Sequence, residues 1–346
     1  MKDLQNSWYV ASWSRDIGIG EPYAMSILNQ PLVLWRTPEG EIRALEDRCM
    51  HRGAPLSLGR CVGKGLRCSY HGLVFDDGGQ VVQIPGRDSA PPQARVRSFP
   101  AVDRHGWIWV WMGEAERASP DRIPDMMPLD TPDYHLGPST YDFDAEARLV
   151  RENLLDYSHI PFLHADSFGI SEDWATTPVG LTELDDGVEY RRWVLDQPLV
   201  PGSPLRMDVY SVFSLRVPGI IRLWNGYYPL GTAAELDHGV PPEDYPGVKN
   251  VNSSSQAVTP MTDKTTRYFF SWGPRKDCGD ETIRDGLIAI AGMAFAEDKI
   301  MVEAQQREFD RAPERGLLAL PSDEGINTYR KVMARFLREA GELGDA

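Results

Sequence analysis

Apolar and polar residues alternate in short runs through the first third of the chain, the period of half-buried strands rather than of helices. Apolar runs at 31–35 and 42–45 flank Thr37-Pro38-Glu39-Gly40, and runs at 74–75 and 80–82 flank Asp76-Asp77-Gly78-Gly79. Both interruptions carry residues that reverse a chain, so each predicts a hairpin. Gly106-Trp107-Ile108-Trp109-Val110-Trp111 has no polar position, which predicts a strand covered on both faces. Residues 1–113 thus read as a small antiparallel β unit. Pro120, Pro124, Pro128, Pro132 and Pro138 then recur too often for a helix or central strand, and residues 114–138 read as an extended connector.

Residues 139–346 combine both periods. Residues 146–160 have helical spacing, with Pro161 expected to stop or bend the helix. Strand-like runs fill about 178–273. Two further helices are predicted over 281–309 and 322–342, the last with Ser322 as its N-cap. On the first, Ile283, Leu287, Ile290, Ala294 and Met301 form one apolar stripe, and Asp298 falls on it. The fold class is α+β: an all-β unit, then a unit of antiparallel sheet and long helices.

Composition narrows the partners. The 346 residues carry 36 basic and 51 acidic side chains, a formal charge of −15, which argues against nucleic acid or an anionic membrane. No apolar run approaches the ~18 residues of a membrane span, and the first residues lack the apolar core of a secretory signal. The expected compartment is cytoplasmic. Cys61 and Cys278 do not suggest a disulfide framework.

Candidate chemistry lies in two places. Cys49-Met50-His51 and Cys68-Ser69-Tyr70-His71 form C-x-H and C-x-x-H pairs separated by sixteen residues. Two thiolates and two imidazoles suit a 2Fe–2S cluster with one soft and one harder iron. Structural zinc takes the same donors, although zinc sites tend to pair two cysteines and then two histidines. Further on, Asn153, Asp156, His159 and His164 give the pattern N-x-x-D-x-x-H-x4-H. On a straight helix His159 and His164 would diverge by about 140°, but Pro161 allows them to converge. Two imidazoles with one carboxylate make a facial triad for Fe(II), and an acid on an apolar stripe needs a partner, which makes Asp298 the candidate. The alternatives are solvent-facing histidines and a surface Asp298.

Arg-Cys-x-His-Arg-Gly-Ala-Pro-Leu and Cys-x-Tyr-His-Gly-x-x-Phe, followed by the second pattern and by Glu297-Asp298-Lys299 with Glu303-Ala304-Gln305-Gln306, resemble the Rieske non-haem iron oxygenases. The resemblance covers nearly the whole chain, including Asn6-Ser7-Trp8-Tyr9-Val10-Ala11, and is strongest to the short O-demethylase group typified by the vanillate and dicamba enzymes. It implies a 2Fe–2S Rieske domain followed by a helix-grip, START-like catalytic domain. It implies that Cys49, His51, Cys68 and His71 hold the cluster and that His159, His164 and Asp298 hold a mononuclear Fe(II). It further implies a homotrimer in which Asp156 bridges His159 to the partner subunit's His71, with Asn153 lining the iron site. NAD(P)H electrons would arrive through a separate flavin or ferredoxin-type reductase. The expected reaction is O2-dependent O- or N-demethylation, or methyl hydroxylation, of a small aromatic compound. Ring hydroxylation or dihydroxylation is the enzymatic alternative and a Rieske electron carrier the other. Asn225 and Gln256 align with pocket positions of the group, although Gln256 stands where the dicamba enzyme has histidine.

Overall fold

The computed structural model describes residues 2–168, 172–199, 203–242 and 244–343. It divides into two compact units, residues 2–125 with 259–263, and residues 126–258 with 264–346. Among its described residues the first unit is built of strands and single 3-10 turns, arranged in three small sheets. Trp107–Trp111 is the middle strand of one sheet, between Trp8–Trp13 and Ala101–Arg104, and all five of its residues are buried. Both expected hairpins form: Gln30–Arg36 pairs with Ile42–Glu46, and Val74–Phe75 with Val81–Gln83. Gly40 and Gly79 sit in these turns at φ 84° and 85°, the left-handed region that glycine enters without steric cost. One apolar cluster contains Val33, Trp35, Leu66 and Phe75 together with Cys49 and Cys68. The two cysteines are therefore rooted in a hydrophobic core.

The second unit is a seven-stranded antiparallel sheet with helices. Its strands are β1 (Gly137–Phe143), β2 (Gly180–Leu184), β3 (Gly187–Pro198), β4 (Arg206–Arg216), β5 (Ile220–Pro229), β6 (Asn250–Thr262) and β7 (Thr265–Pro274). They lie in the order β1-β7-β6-β5-β4-β3-β2. Pro138, expected in the connector, lies inside β1 opposite Ser271. β1 is an edge strand, where a missing N–H is tolerated.

The helices that frame the site are α1 (Ala147–Leu155), α2 (Ile160–Leu163), α3 (Glu281–Arg311) and α4 (Glu324–Glu339), with single turns at Ala165–Phe168 and Thr232–Glu235 besides. Asp280 caps α3 by accepting a hydrogen bond from Ile283 N at 3.0 Å. α3 packs against β1 and β7 and buries Ala291, Ala294, Asp298, Val302 and Gln306. The stripe read from sequence is correct at Ala294 and Asp298, but Ile283 and Met301 are exposed. A four-residue step from Asp298 keeps the face and reaches Val302, whereas the three-residue step to Met301 leaves it. The residue before the final helix is Asp323, not Ser322, because residues 321–323 form a 3-10 turn first, and the Asp323 carboxylate accepts from Leu320 N rather than from the helix.

The expected helix over 146–160 is broken in two. Its first part ends at Asp156, which is extended (φ −89°, ψ 107°), and Asp156 Oδ1 accepts hydrogen bonds from Ser158 N at 2.7 Å and Ser158 Oγ at 2.6 Å. That side-chain capture competes with the next helical hydrogen bond. Pro161 then stands in the first turn of α2, where it has no N–H to waste. The approach to α1 is fixed from α3, since Glu303 accepts from Asp144 N and Gln306 from Glu146 N, each at 2.9 Å. The resemblance motif Glu303…Gln306 is thus the peg that sets α1 beside α3.

β7 must approach the segment before β1 closely, since a Cβ at Gly273 would lie 1.7 Å from the His135 carbonyl oxygen. Gly273→Ala is expected to lose roughly 1–3 kcal/mol through backbone displacement, read as a lower midpoint in urea unfolding. An unchanged midpoint would show that this approach is not tight.

Candidate metal centres

The helix break aims two imidazoles at one point. His159 precedes α2 and His164 follows it, and their rings stand 5.2 Å apart at 71°. Both Nε2 atoms face Asp298 Oδ1, at 3.4 Å from His159 and 3.3 Å from His164. These three residues form a grouping whose ligand atoms lie within 4.8 Å of one another. Asp298 is 3% exposed, and Asn153 Nδ2 donates to its Oδ1 at 2.9 Å. Burial alone would raise the Asp298 carboxyl, but hydrogen bonds from the two histidines outweigh it and hold the group at about 2. Burial likewise opposes charge on His159, yet Asp156 and Asp298 outweigh it and push the imidazole up to about 9. Each side chain thus carries the charge that its neighbours neutralise.

The outer ring nitrogens meet carboxylates. His164 Nδ1 lies 2.7 Å from Glu297 Oε2, which also accepts from Ser167 Oγ at 2.8 Å. His159 Nδ1 is buried without a hydrogen bond and points to Asp156 Oδ2, 3.8 Å away. Carboxylates behind imidazoles fix the tautomer that presents Nε2 inward and make it more basic. Two imidazole nitrogens and one carboxylate oxygen, each oriented from behind, fit a divalent iron with positions left open. The Glu297 contact escaped the sequence reading. Adjacent helix positions point about 100° apart, so the apolar stripe that holds Asp298 says nothing of Glu297, whose place in the motif beside Asp298 was the available signal.

A cavity of about 140 Å³ opens on this triad. Its wall includes Tyr157, Phe213, Leu223, Phe270, Trp272 and Phe295. Gln256 lies in the wall, but its amide is engaged: Oε1 accepts from Tyr268 O–H at 2.7 Å, and Nε2 donates to Ser254 Oγ at 3.0 Å. Burial drives the Tyr268 hydroxyl far above its usual range, so it remains a donor. Asn225 is not among the described lining residues; its amide donates to Asn252 Oδ1 at 3.2 Å.

In the first unit, two six-residue loops repeat one hydrogen-bonding scheme. Cys49 N donates to Ala54 O and Gly53 N to Cys49 O, while Cys68 N donates to Leu73 O and Gly72 N to Cys68 O, all at 2.8–3.0 Å. Gly53 and Gly72 close the loops at φ 70° and 76°. Each loop buries its cysteine and exposes its histidine, and the His51 and His71 rings lie 4.4 Å apart. Burial and the adjacent Cys68 push the Cys49 thiol up, so metal coordination is what would draw off its proton. Buried sulfur on one side and exposed imidazole on the other match a cluster with two unlike iron atoms. Zinc would require all four donors on one ion.

Residues 7–100 match the Rieske [2Fe-2S] domain, and residues 143–339 match the vanillate O-demethylase oxygenase C-terminal domain. The chain is 32% identical to the toluene-4-sulfonate monooxygenase system iron-sulfur subunit TsaM1 of Comamonas testosteroni, over 97% of each chain. It is 33% identical to the vanillate O-demethylase oxygenase subunit of Pseudomonas sp. (strain HR199 / DSM 7063), over 99% of this chain and 97% of that one. Crystalline dicamba monooxygenase bound to 3,6-dichlorosalicylic acid superposes with a TM-score of 0.84 at 27% identity, over 97% of this chain and 98% of that one. With both domains in the expected order, the chain belongs to the Rieske non-haem iron oxygenases of the vanillate O-demethylase type and is the terminal oxygenase component of a monooxygenase.

Proposed function

We propose that His159, His164 and Asp298 hold a ferrous ion, that Cys49, His51, Cys68 and His71 hold the 2Fe–2S cluster, and that the reaction is O- or N-demethylation, or methyl hydroxylation, of a small aromatic compound. The observation that carries this reading is the convergence of two Nε2 atoms and one Oδ1 at an aromatic-walled cavity of about 140 Å³, room for a single ring. The names of the two relatives, toluene-4-sulfonate monooxygenase and vanillate O-demethylase, point to the same small benzenoid class. Ferrous iron with open positions supplies O2 activation and oxygen transfer to a C–H bond. The chain contributes the rest. Glu297 and Ser167 hold the His164 ring, and Asn153 holds Asp298. Phe213, Leu223, Phe270 and Phe295 exclude water and sandwich a flat substrate. Gln256 acts in this wall by positioning Tyr268 and Ser254.

Electrons come from NAD(P)H through a separate flavin or ferredoxin-type reductase, and the chain works as a cytoplasmic homotrimer. In it Asp156 joins His159 to the partner subunit's His71. This role is supported by the division of labour in the Asp156 carboxylate, whose Oδ1 is taken by Ser158 while Oδ2 is directed at His159. Among the described residues no helix is long and apolar enough to cross a membrane.

Four outcomes test this reading. Asp156→Asn should retain all the iron and lose about a hundredfold in turnover with reductase; unaltered turnover would remove the electron bridge. In metal-depleted protein His159 holds its proton up to about pH 9, so Fe(II) must displace it. Calorimetric Fe(II) affinity should therefore climb roughly tenfold per pH unit between 6.5 and 9 per proton released, and Glu297→Gln should weaken it about 10–100-fold. A flat pH profile would separate His159 from the metal. Finally, a methoxybenzene substrate should yield one formaldehyde per O2 consumed, because oxygen inserted into an O-methyl group leaves a hemiacetal that collapses; a dihydrodiol product would place the chain among ring dihydroxylases.

A further inference from the structure

Beyond the triad, the same face of the sheet carries a buried arginine for which no counter-ion stands among the described residues. Tyr190 and Arg192 share one face of β3, since side chains alternate along a strand, and Tyr190 stacks with Phe213 of the cavity wall. Arg192 is 5% exposed. Its guanidinium lies between two rings, 4.1 Å from the centroid of Tyr157 and 4.2 Å from that of Trp174. Such ring contacts stabilise the cation but satisfy none of its N–H donors. On its edge Nε and Nη2 are buried with no hydrogen-bond partner among the described residues, and the same holds for Trp174 Nε1 and the Tyr157 hydroxyl.

The same edge is filled elsewhere in the unit. Arg267 uses Nε and Nη2 to grip both oxygens of Asp142, and Arg275 does so with Asp277. Arg192 also lines an open cavity of about 1000 Å³ with Arg191 and Arg206. Those two are already answered, by Glu189 at 2.7 Å and Asp196 at 2.8 Å. Burial pulls the Arg192 guanidinium down only to about 10, so it is a cation at neutral pH. A buried cation without a counter-ion is costly, and a bidentate oxyanion is the group that would repay it best.

Position connects this cation to the chemistry. Tyr157 presents one ring face to Arg192 and lines the triad cavity. Across the sheet Arg192 is in register with Ser211, and Ser211 with Asn225, one row beyond the cavity-lining Phe213 and Leu223. Successive rows on one face are about 7 Å apart, comparable to the reach across a para-substituted ring. We propose that the Nε/Nη2 edge of Arg192, held between the Tyr157 and Trp174 rings, binds the carboxylate or sulfonate of an aromatic substrate whose methyl-bearing end lies at His159, His164 and Asp298. This rests on the oxygenase reading above and adds the substrate class, an aryl oxyanion, with Arg192 as the residue that selects it.

Equilibrium binding to the iron-loaded protein, followed by calorimetry without reductase, tests the assignment with 4-methylbenzoate, 4-methylbenzenesulfonate and the neutral 4-methylbenzamide. At least one anion should bind wild type roughly tenfold or more tighter than the amide, and which of the two does so separates a carboxylate from a sulfonate substrate. Arg192→Met should bring the preference to within about twofold while amide affinity holds, and Arg192→Lys, which keeps charge but loses the fork, should fall between. A wild-type preference near unity overturns the proposal whether or not either variant folds, as does an undiminished preference in Arg192→Met. Because the ratio is read without turnover, it stands or falls apart from any assay of demethylation.

Discussion

A buried carboxylate is tolerable only where positive or hydrogen-bonding groups surround it, and Asp298 imposes that condition on the second unit. It lies on the face of α3 turned toward the sheet, between Ala294 and Val302. Two imidazoles and one amide reach it there. Bringing three side chains from the 153–164 segment to one oxygen requires α1 to stop early, α2 to start in a new direction, and both to be pegged to α3. The Asp156–Ser158 capture, Pro161 in the first turn of α2, and the Glu303 and Gln306 acceptors supply these conditions in turn. The centre is built by ending regular structure where continuing it would point the ligands apart.

The first unit solves a related problem with glycine. Each Cys/His loop has six residues in which to pass from a buried cysteine to an exposed histidine and return, and Gly53 or Gly72 at positive φ closes the turn. Roots in an apolar core hold the two sulfurs, while both imidazoles lie exposed. The two groupings thus differ in setting. One presents its imidazoles at the surface of its unit, and the other looks into an aromatic-walled cavity.

Much of this was legible in the sequence where the determining contacts are short-range. The four residues proposed to hold the cluster lie in two compact motifs, and both hairpins and the tryptophan strand follow from local alternation. Legibility fell where side chains compete with the backbone or where distant elements meet. Helical spacing could not reveal that Asp156 would use its carboxylate to end α1, so the break was attributed to Pro161, five residues later. The stripe on α3 was right at Asp298 and drifted at Ile283 and Met301, because hydrophobicity alone does not distinguish three-residue from four-residue steps. Arg192 shows the limit most plainly. Alternation places it on a face, but only the packed structure shows two rings against it and, among the described residues, no carboxylate paired with it.

The account depends on one point in space where two imidazole nitrogens and a carboxylate oxygen share an ion. Crystals of the iron-reconstituted protein, measured on both sides of the iron absorption edge, locate that ion directly. The account predicts an anomalous peak within bonding distance of His159 Nε2, His164 Nε2 and an oxygen of Asp298, separate from the two-iron peak beside Cys49 and Cys68. Iron confined to the cluster, with the three side chains keeping their direct hydrogen bonds to one another, would contradict it.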